Sequence, residues 1–172
     1  MPKPKPDALP PSERFVVLLR HEAAEETPVG GTDEDRILTA EGHARMKRNA
    51  QGLARVLPRA QAIYSSPLVR ATQTALWVAR AYRSRVEVTQ SSLLSPGSSL
   101  GELLDFIRET SRKRIILVGH EPELGATFRA LTGVRTGVQF RKGGAIGIRL
   151  LPDGSGILDW ILPPEVLKKL AE

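Results

Sequence analysis

The sequence predicts an α/β domain, a three-layer sandwich with a mostly parallel central sheet flanked by helices. Two apolar runs carry that expectation. Phe15-Val16-Val17-Leu18-Leu19 and Ile115-Ile116-Leu117-Val118 are rich in β-branched residues and lack polar alternation. That is the pattern of strands buried on both faces. The third observation is that stretches with apolar residues at helical spacing alternate with such runs. With 172 residues, the chain suits one domain large enough to bury a core.

Residues 1–14 open with Pro2-Lys3-Pro4-Lys5-Pro6 and have no periodicity, so they are expected to form a disordered tail ahead of a single domain over 15–172. The first strand ends in Arg20-His21-Glu22. Residues 23–36 are polar and contain glycine, as a loop does. Asp33-Glu34-Asp35 within it resembles the carboxylates of metal-dependent phosphatases in composition only. No buried strand precedes the triplet to aim it at magnesium, and it reads as a solvated loop. Thr39 is a good N-cap with Glu41 in the first turn, and Met46, Ala50, Leu53 and Leu57 form the apolar stripe of the helix. His43, early in that helix, reads as a surface or capping residue.

Ala60 to Tyr64 is a short strand. Ser66 then reads as the cap of a helix with Pro67 at its first position and Leu68, Ala71, Ala75 and Val78 inward. Arg70 falls in the first turn, where a cation opposes the helix dipole. The placement makes sense if Arg70 points at an anion held by the free amides of that turn. Val86-Glu87-Val88 is an edge strand, Pro96-Gly97 a turn, and Ser98 or Ser99 caps a helix with Leu100, Leu103, Leu104 and Ile107 on one face. The second buried strand ends in Gly119-His120-Glu121-Pro122, and a helix runs from Pro122 to Leu131. Gly143-Gly144 precedes a strand from Ala145 to Leu151. Pro152 to Gly156 turns it into Ile157 to Leu162, and Pro164 starts a last short helix.

The composition narrows the function. The chain has no cysteine, which removes disulfides, cysteine-based phosphatase chemistry and thiolate metal sites, and fits a reducing, cytoplasmic setting. No apolar run approaches the ~18 residues of a membrane span, and no secretory signal opens the chain. A soluble monomer is expected. The net charge of +6 invites a nucleic-acid partner. Aromatic residues are only 5% of the chain, however, so stacking platforms are scarce. The basic residues are scattered and no nucleic-acid-binding signature is present. An anionic substrate explains the charge equally well, since a positive field steers anions.

In an open α/β sheet, ligands bind at the carboxyl ends of the strands. Three such ends offer Arg20 with His21, Ser65-Ser66 with Arg70, and Gly119 with His120. Two imidazoles and two guanidiniums make a poor zinc site, because the arginines would repel the ion, and no metal or cofactor is expected. They make a good phosphoryl site. Guanidinium forks match phosphate oxygens, fixed donors stabilise charge in the transition state, and a neutral imidazole can carry a phosphoryl group covalently. Neighbouring cations help to keep that imidazole unprotonated.

These residues sit in motifs that resemble the histidine phosphatase superfamily (phosphoglycerate mutase-like), and most fully its SixA-type phosphohistidine phosphatases. Leu18-Leu19-Arg20-His21 is similar to the first histidine motif, and Leu38-Thr39-Ala40-Glu41-Gly42 to the Leu-Thr-x-x-Gly helix start. Ser65 to Ala75 is similar to the Ser-Pro-x-x-Arg-Ala-x-Gln-Thr signature, and Val118-Gly119-His120-Glu121-Pro122 to the second histidine motif. The resemblance implies His21 as nucleophile, with Arg20, Arg70, His120 and, by its position, Arg36 as phosphate ligands. It also implies a metal-independent phosphatase acting on phosphohistidine of a partner protein. Hydrolysis of a sugar phosphate or short polyphosphate is the alternative, and a phosphate- or nucleic-acid-binding module without turnover is the rival from another class. The chain departs from the pattern at Glu22, where the motif has glycine. It also has no evident insertion to carry an acidic proton donor, which leaves Glu22 and Glu102 as candidates.

Overall fold

The computed structural model describes residues 13–172, so nearly all of the expected N-terminal tail lies outside the described residues. The elements in chain order are β1 (Arg14–Arg20), α1 (Ala40–Val56), β2 (Ala62–Ser65), α2 (Val69–Ala81), β3 (Val88–Gln90), α3 (Leu100–Glu109), β4 (Arg114–Gly119), α4 (Glu123–Thr132), β5 (Ala145–Leu150), β6 (Gly156–Leu162) and α5 (Pro164–Leu170). The first strand starts one residue before the expected domain boundary, because Arg14 already pairs with Leu150.

The strands form one sheet in the order β3-β2-β4-β1-β5-β6. β1 pairs with β4, and β2 with both β4 and β3, in parallel. β5 runs antiparallel to β1 and β6. Alternation along the two central strands makes the three layers. Phe15, Val17, Leu19, Ile116 and Val118 face one side, packed with Met46, Leu53, Ala75 and Leu167 of α1, α2 and α5. Val16, Leu18, Ile115 and Leu117 face the other, packed with Leu103, Ile107, Leu124 and Phe128 of α3 and α4. Both faces are therefore covered, which is why these strands carry no polar residue between their ends.

The helix starts follow local chemistry. Thr39 Oγ1 accepts the Gly42 N–H at 2.8 Å, and Ser99 Oγ accepts that of Glu102 at 3.3 Å. One expected cap is corrected. α2 begins at Val69 with Leu68, not Ser66, at its N-cap, because the first helical bonds run to the Leu68 carbonyl, which accepts the Ala71 and Thr72 N–H groups at 3.0 Å. His43 is also corrected. It is a half-buried joint between helices, and its Nδ1 accepts the Trp77 indole N–H at 3.0 Å. The edge strand lies at Val88–Gln90, slightly beyond the expected 86–88.

α5 crosses α1 at Gly52, where a Cβ would come within 1.9 Å of the Leu167 carbonyl oxygen. Backbone cannot yield as a side-chain end can. Gly52→Ala should therefore push α5 off α1 and cost about 1–3 kcal/mol, read as a lower thermal midpoint with the fold retained. An unchanged midpoint would show that α5 is loosely held.

Candidate active site

The sheet order sets three strand ends side by side. Arg20 is opposite Gly119, and Ser65 opposite Val118. The ladder continues one residue past each strand: the His21 N–H donates to Gly119 C=O at 3.1 Å, and the Ser66 N–H to Val118 C=O at 2.9 Å. This register places the His21 and His120 rings with centroids 4.9 Å apart, tilted by 55°. The start of α1 is laid directly on the chain leaving His21. Ala23 C=O accepts the Thr39 N–H at 3.0 Å, and a Cβ at residue 42 would come within 2.4 Å of the same oxygen. Glycine at 42 is what permits this approach.

His21 is buried, with 8% of its surface exposed. Its Nδ1 lies 2.7 Å from the Glu22 carbonyl oxygen. A carbonyl only accepts, so Nδ1 carries the ring proton and Nε2 keeps its lone pair. Burial, with further contributions from His120, Arg70 and Arg20, lowers the His21 pKa to about 3, against a smaller opposing effect of the Glu22 hydrogen bond. His120 is lowered to about 4, first by burial and then by Arg70, with Glu123 and Asp33 opposing. Both imidazoles are neutral at physiological pH. His120 Nε2 meets Ser66 Oγ at 2.8 Å, and that hydroxyl also accepts the Leu68 N–H at 3.3 Å. Nδ1 of His120 is a buried ring nitrogen with no protein partner.

The two arginines are each anchored at one end. Arg20 donates through Nη1 to Phe140 C=O at 2.7 Å. Arg70 donates through Nη1 to Asp33 C=O at 2.7 Å and pairs through Nη2 with Asp33 Oδ2 at 2.9 Å. Their Nε–H groups are buried without a protein partner. Two Nε donors and the His120 Nδ1 are therefore left without protein partners around His21. Buried donors are normally satisfied, and a tetrahedral oxyanion has the oxygens to satisfy these.

The remaining expected residues are placed differently. Arg36 donates through Nε to Glu25 C=O at 2.7 Å and pairs with Asp33 Oδ1 at 3.0 Å, so it joins the site only through Asp33. Glu22 needs no glycine-like backbone, because the positive-φ non-glycine residues are Arg83 and Ser84. Its carboxylate pairs with Arg45 at 3.0 Å and lies against Gly143, where a Cβ would come within 2.0 Å of Oε2. Glu102 is exposed in the first turn of α3, and the carboxylates acting on His120 are Glu123 and Asp33 instead.

Two carboxylates escaped the sequence reading. Asp33 is exposed, as its loop reads, and there it bridges Arg36 and Arg70. Hydrogen bonds from Arg36 first, then from Arg70, hold its pKa below the usual carboxylate value. Its spacing of three from Arg36 was the available signal. Glu121 follows His120 directly; burial raises its pKa, partly offset by Arg20 and Arg129. Its Oε1 is buried without a partner. Among the described residues, no group of three or more His, Asp or Glu side chains is arranged to hold a metal ion.

A fold with this crevice at its strand ends defines a class of phosphoryl-handling proteins, and comparison with known proteins agrees. The family model of the histidine phosphatase superfamily (branch 1) matches residues 16–94. An uncharacterized protein of Picosynechococcus sp. is 35% identical over 138 residues, which cover 77% of this chain and 82% of that protein. The structure of the protein histidine phosphatase SixA complexed with tungstate superposes with a TM-score of 0.81 at 22% identity, over 90% of this chain and 99% of that one. A SixA structure from Agrobacterium tumefaciens gives a TM-score of 0.76 at 26% identity, over 88% and 98%. The chain belongs to the histidine phosphatase superfamily, and its fold is that of the SixA-type branch. No helix of the described residues is long and apolar enough to cross a membrane.

The lowered histidine pKa values link the site to stability. In the unfolded chain both histidines titrate near 6.5; in the fold they titrate near 3 and 4. Between those limits the unfolded state binds more protons, so stability is full above about pH 6.5 and falls as pH drops through that window. Imidazole NMR should show His21 and His120 uncharged at pH 5.5. A pKa near 6.5 for either would contradict the burial argument.

Proposed function

We propose that this protein is a metal-independent phosphatase that works through a phosphohistidine intermediate on His21, and that it removes phosphate from phosphohistidine on a partner protein. The observation that carries the reading is the unprotonated, unbonded Nε2 of His21 beside two buried guanidinium Nε donors and the buried His120 Nδ1, none of which has a protein partner. In the first step the Nε2 lone pair attacks phosphorus. A P–N bond forms, the bond to the leaving group breaks, and the leaving group takes a proton. In the second step water attacks phospho-His21, the new P–N bond breaks, and His21 returns to its neutral form with release of phosphate. Arg20 and Arg70 bind the equatorial oxygens through Nε, and His120 donates from Nδ1. Charge that grows on those oxygens in the transition state meets donors already in place. Asp33 acts as a positioning residue by holding the far end of Arg70, and Arg36 acts through Asp33.

The substrate assignment rests on access. The residues between Arg70 and His120 are spent on α2, β3, α3 and β4 and their short connections, so no inserted segment roofs the crevice. A phosphorylated side chain presented by another protein suits such a site. A phosphoramidate also leaves more readily than an alkoxide. For a poorer leaving group such as a sugar alkoxide, Glu121 is the carboxyl best suited to supply the proton, since its raised pKa keeps more of it protonated.

The test is a rate comparison in excess chelator among a phosphohistidine protein, sugar phosphates and short polyphosphate. The phosphohistidine protein should be hydrolysed fastest and without loss of rate, because the guanidiniums supply the positive charge that a metal would. Glu121→Gln should slow sugar phosphates by about tenfold or more and leave phosphohistidine hydrolysis nearly unchanged. Rates abolished by chelator and restored by magnesium would overturn the mechanism. A preference for sugar phosphate or polyphosphate would overturn the substrate.

A further inference from the structure

Arg20 has a second side. Beyond its anchored guanidinium lies a cavity of about 730 Å³ between α1, α5 and the segment before β5. The phosphoryl crevice and this cavity share Arg20 as a wall, while neither histidine lines the cavity. Six cations and three carboxylates line it. The carboxylates are already matched: Arg45 holds Glu22 at 3.0 Å and Glu41 at 2.8 Å, and Arg141 holds Glu165 at 2.7 Å. Apart from Arg20, three cations remain over. Arg48 of α1, Lys142 before β5 and Lys168 of α5 are exposed, and none has an ion pair or hydrogen bond among the described residues. Three cations on three separate elements around one hollow leave uncompensated positive charge beside the phosphoryl crevice.

We infer that this cavity receives acidic side chains of the phosphorylated partner protein, so that the substrate is a phosphohistidine flanked by carboxylates. The inference rests on the phosphatase reading and adds the chemistry of the surrounding sequence. The volume lies within the ~300–1,000 Å³ of ordinary ligand sites and exceeds the needs of one phosphate. The free cations are exposed, as at the polar rim of a protein interface. A tight polyphosphate site would instead close rigid guanidiniums on the chain. The wall also keeps three carboxylates, which a dense polyanion would have to approach and which a mixed protein surface tolerates. Charge of this kind acts mainly on encounter and specificity and is weakened by salt.

The test uses the full-length protein and the triple variant Arg48→Gln, Lys142→Gln, Lys168→Gln, all three exposed positions outside the catalytic crevice. The probes are phosphoramidate, a phosphohistidine peptide flanked by glutamates, the same peptide flanked by glutamines, and tripolyphosphate. The unaltered protein should prefer the glutamate peptide by about tenfold in kcat/KM at low salt, and the preference should shrink toward ~0.5 M salt. The variant should lose that preference while its rate on phosphoramidate stays within about threefold. Equal kcat/KM for the two peptides, or a preference that survives in the variant, would overturn the inference. Tripolyphosphate turned over faster than the glutamate peptide, by a rate that the variant loses, would reassign the cavity to polyphosphate. If phosphoramidate and both peptides are inert, the phosphatase reading fails. The inference is then decided by the binding of the unphosphorylated peptides, where tighter binding of the glutamate peptide that the variant loses supports it and equal binding overturns it.

Discussion

Parallel pairing of β1 with β4 is the constraint on which the site depends. With Arg20 opposite Gly119, each strand delivers its histidine at the same level, and the rings meet at 4.9 Å. A shift of one residue would turn His21 or His120 to the other face of the sheet. The pairing itself is held by burial. Phe15 to Leu19 and Ile115 to Val118 are each at most 1% exposed, and a slip would exchange the residues facing the two helical layers. The same packing that stabilises the domain therefore fixes the distance between the two imidazoles.

That arrangement concentrates positive charge, and the protein contains it in two ways. It keeps the imidazoles neutral, with burial as the larger influence and the guanidiniums as the smaller one. It also ties down each arginine at the end away from the crevice, Arg20 on a carbonyl and Arg70 on Asp33. The donors left free are the ones needed for an oxyanion. Building such a site ahead of its ligand costs stability in the unliganded protein, and the pH dependence of unfolding is one expression of that cost.

The strands, their helical cover and the three strand ends were legible because long apolar runs and capping residues act locally. Thr39 and Ser99 do what their chemistry suggests at a helix start. What the sequence hid was pairing over distance. Asp33 is as exposed as it reads, but nothing near it in sequence shows that Arg70 arrives from α2. Glu22 reads as a misfit in its motif until Gly143, far along the chain, is seen to leave room for its carboxylate. Ser66 reads only as a helix-start residue because the second partner of its hydroxyl, His120, comes from another strand. The basic cavity beside Arg20 is assembled from α1, α5 and the approach to β5, so scattered basic residues gave no sign of it.

On the proposed mechanism His21 attacks through Nε2, because its Nδ1 proton is committed to the Glu22 carbonyl. The most direct measurement is to quench the reaction during turnover, locate the phosphoryl group by mass spectrometry, and distinguish the two ring positions by phosphorus NMR. The account predicts an acid-labile, alkali-stable adduct on His21 at Nε2, absent from His21→Ala. Phosphate on His120, on Nδ1 of His21, or on no histidine during full turnover would contradict it.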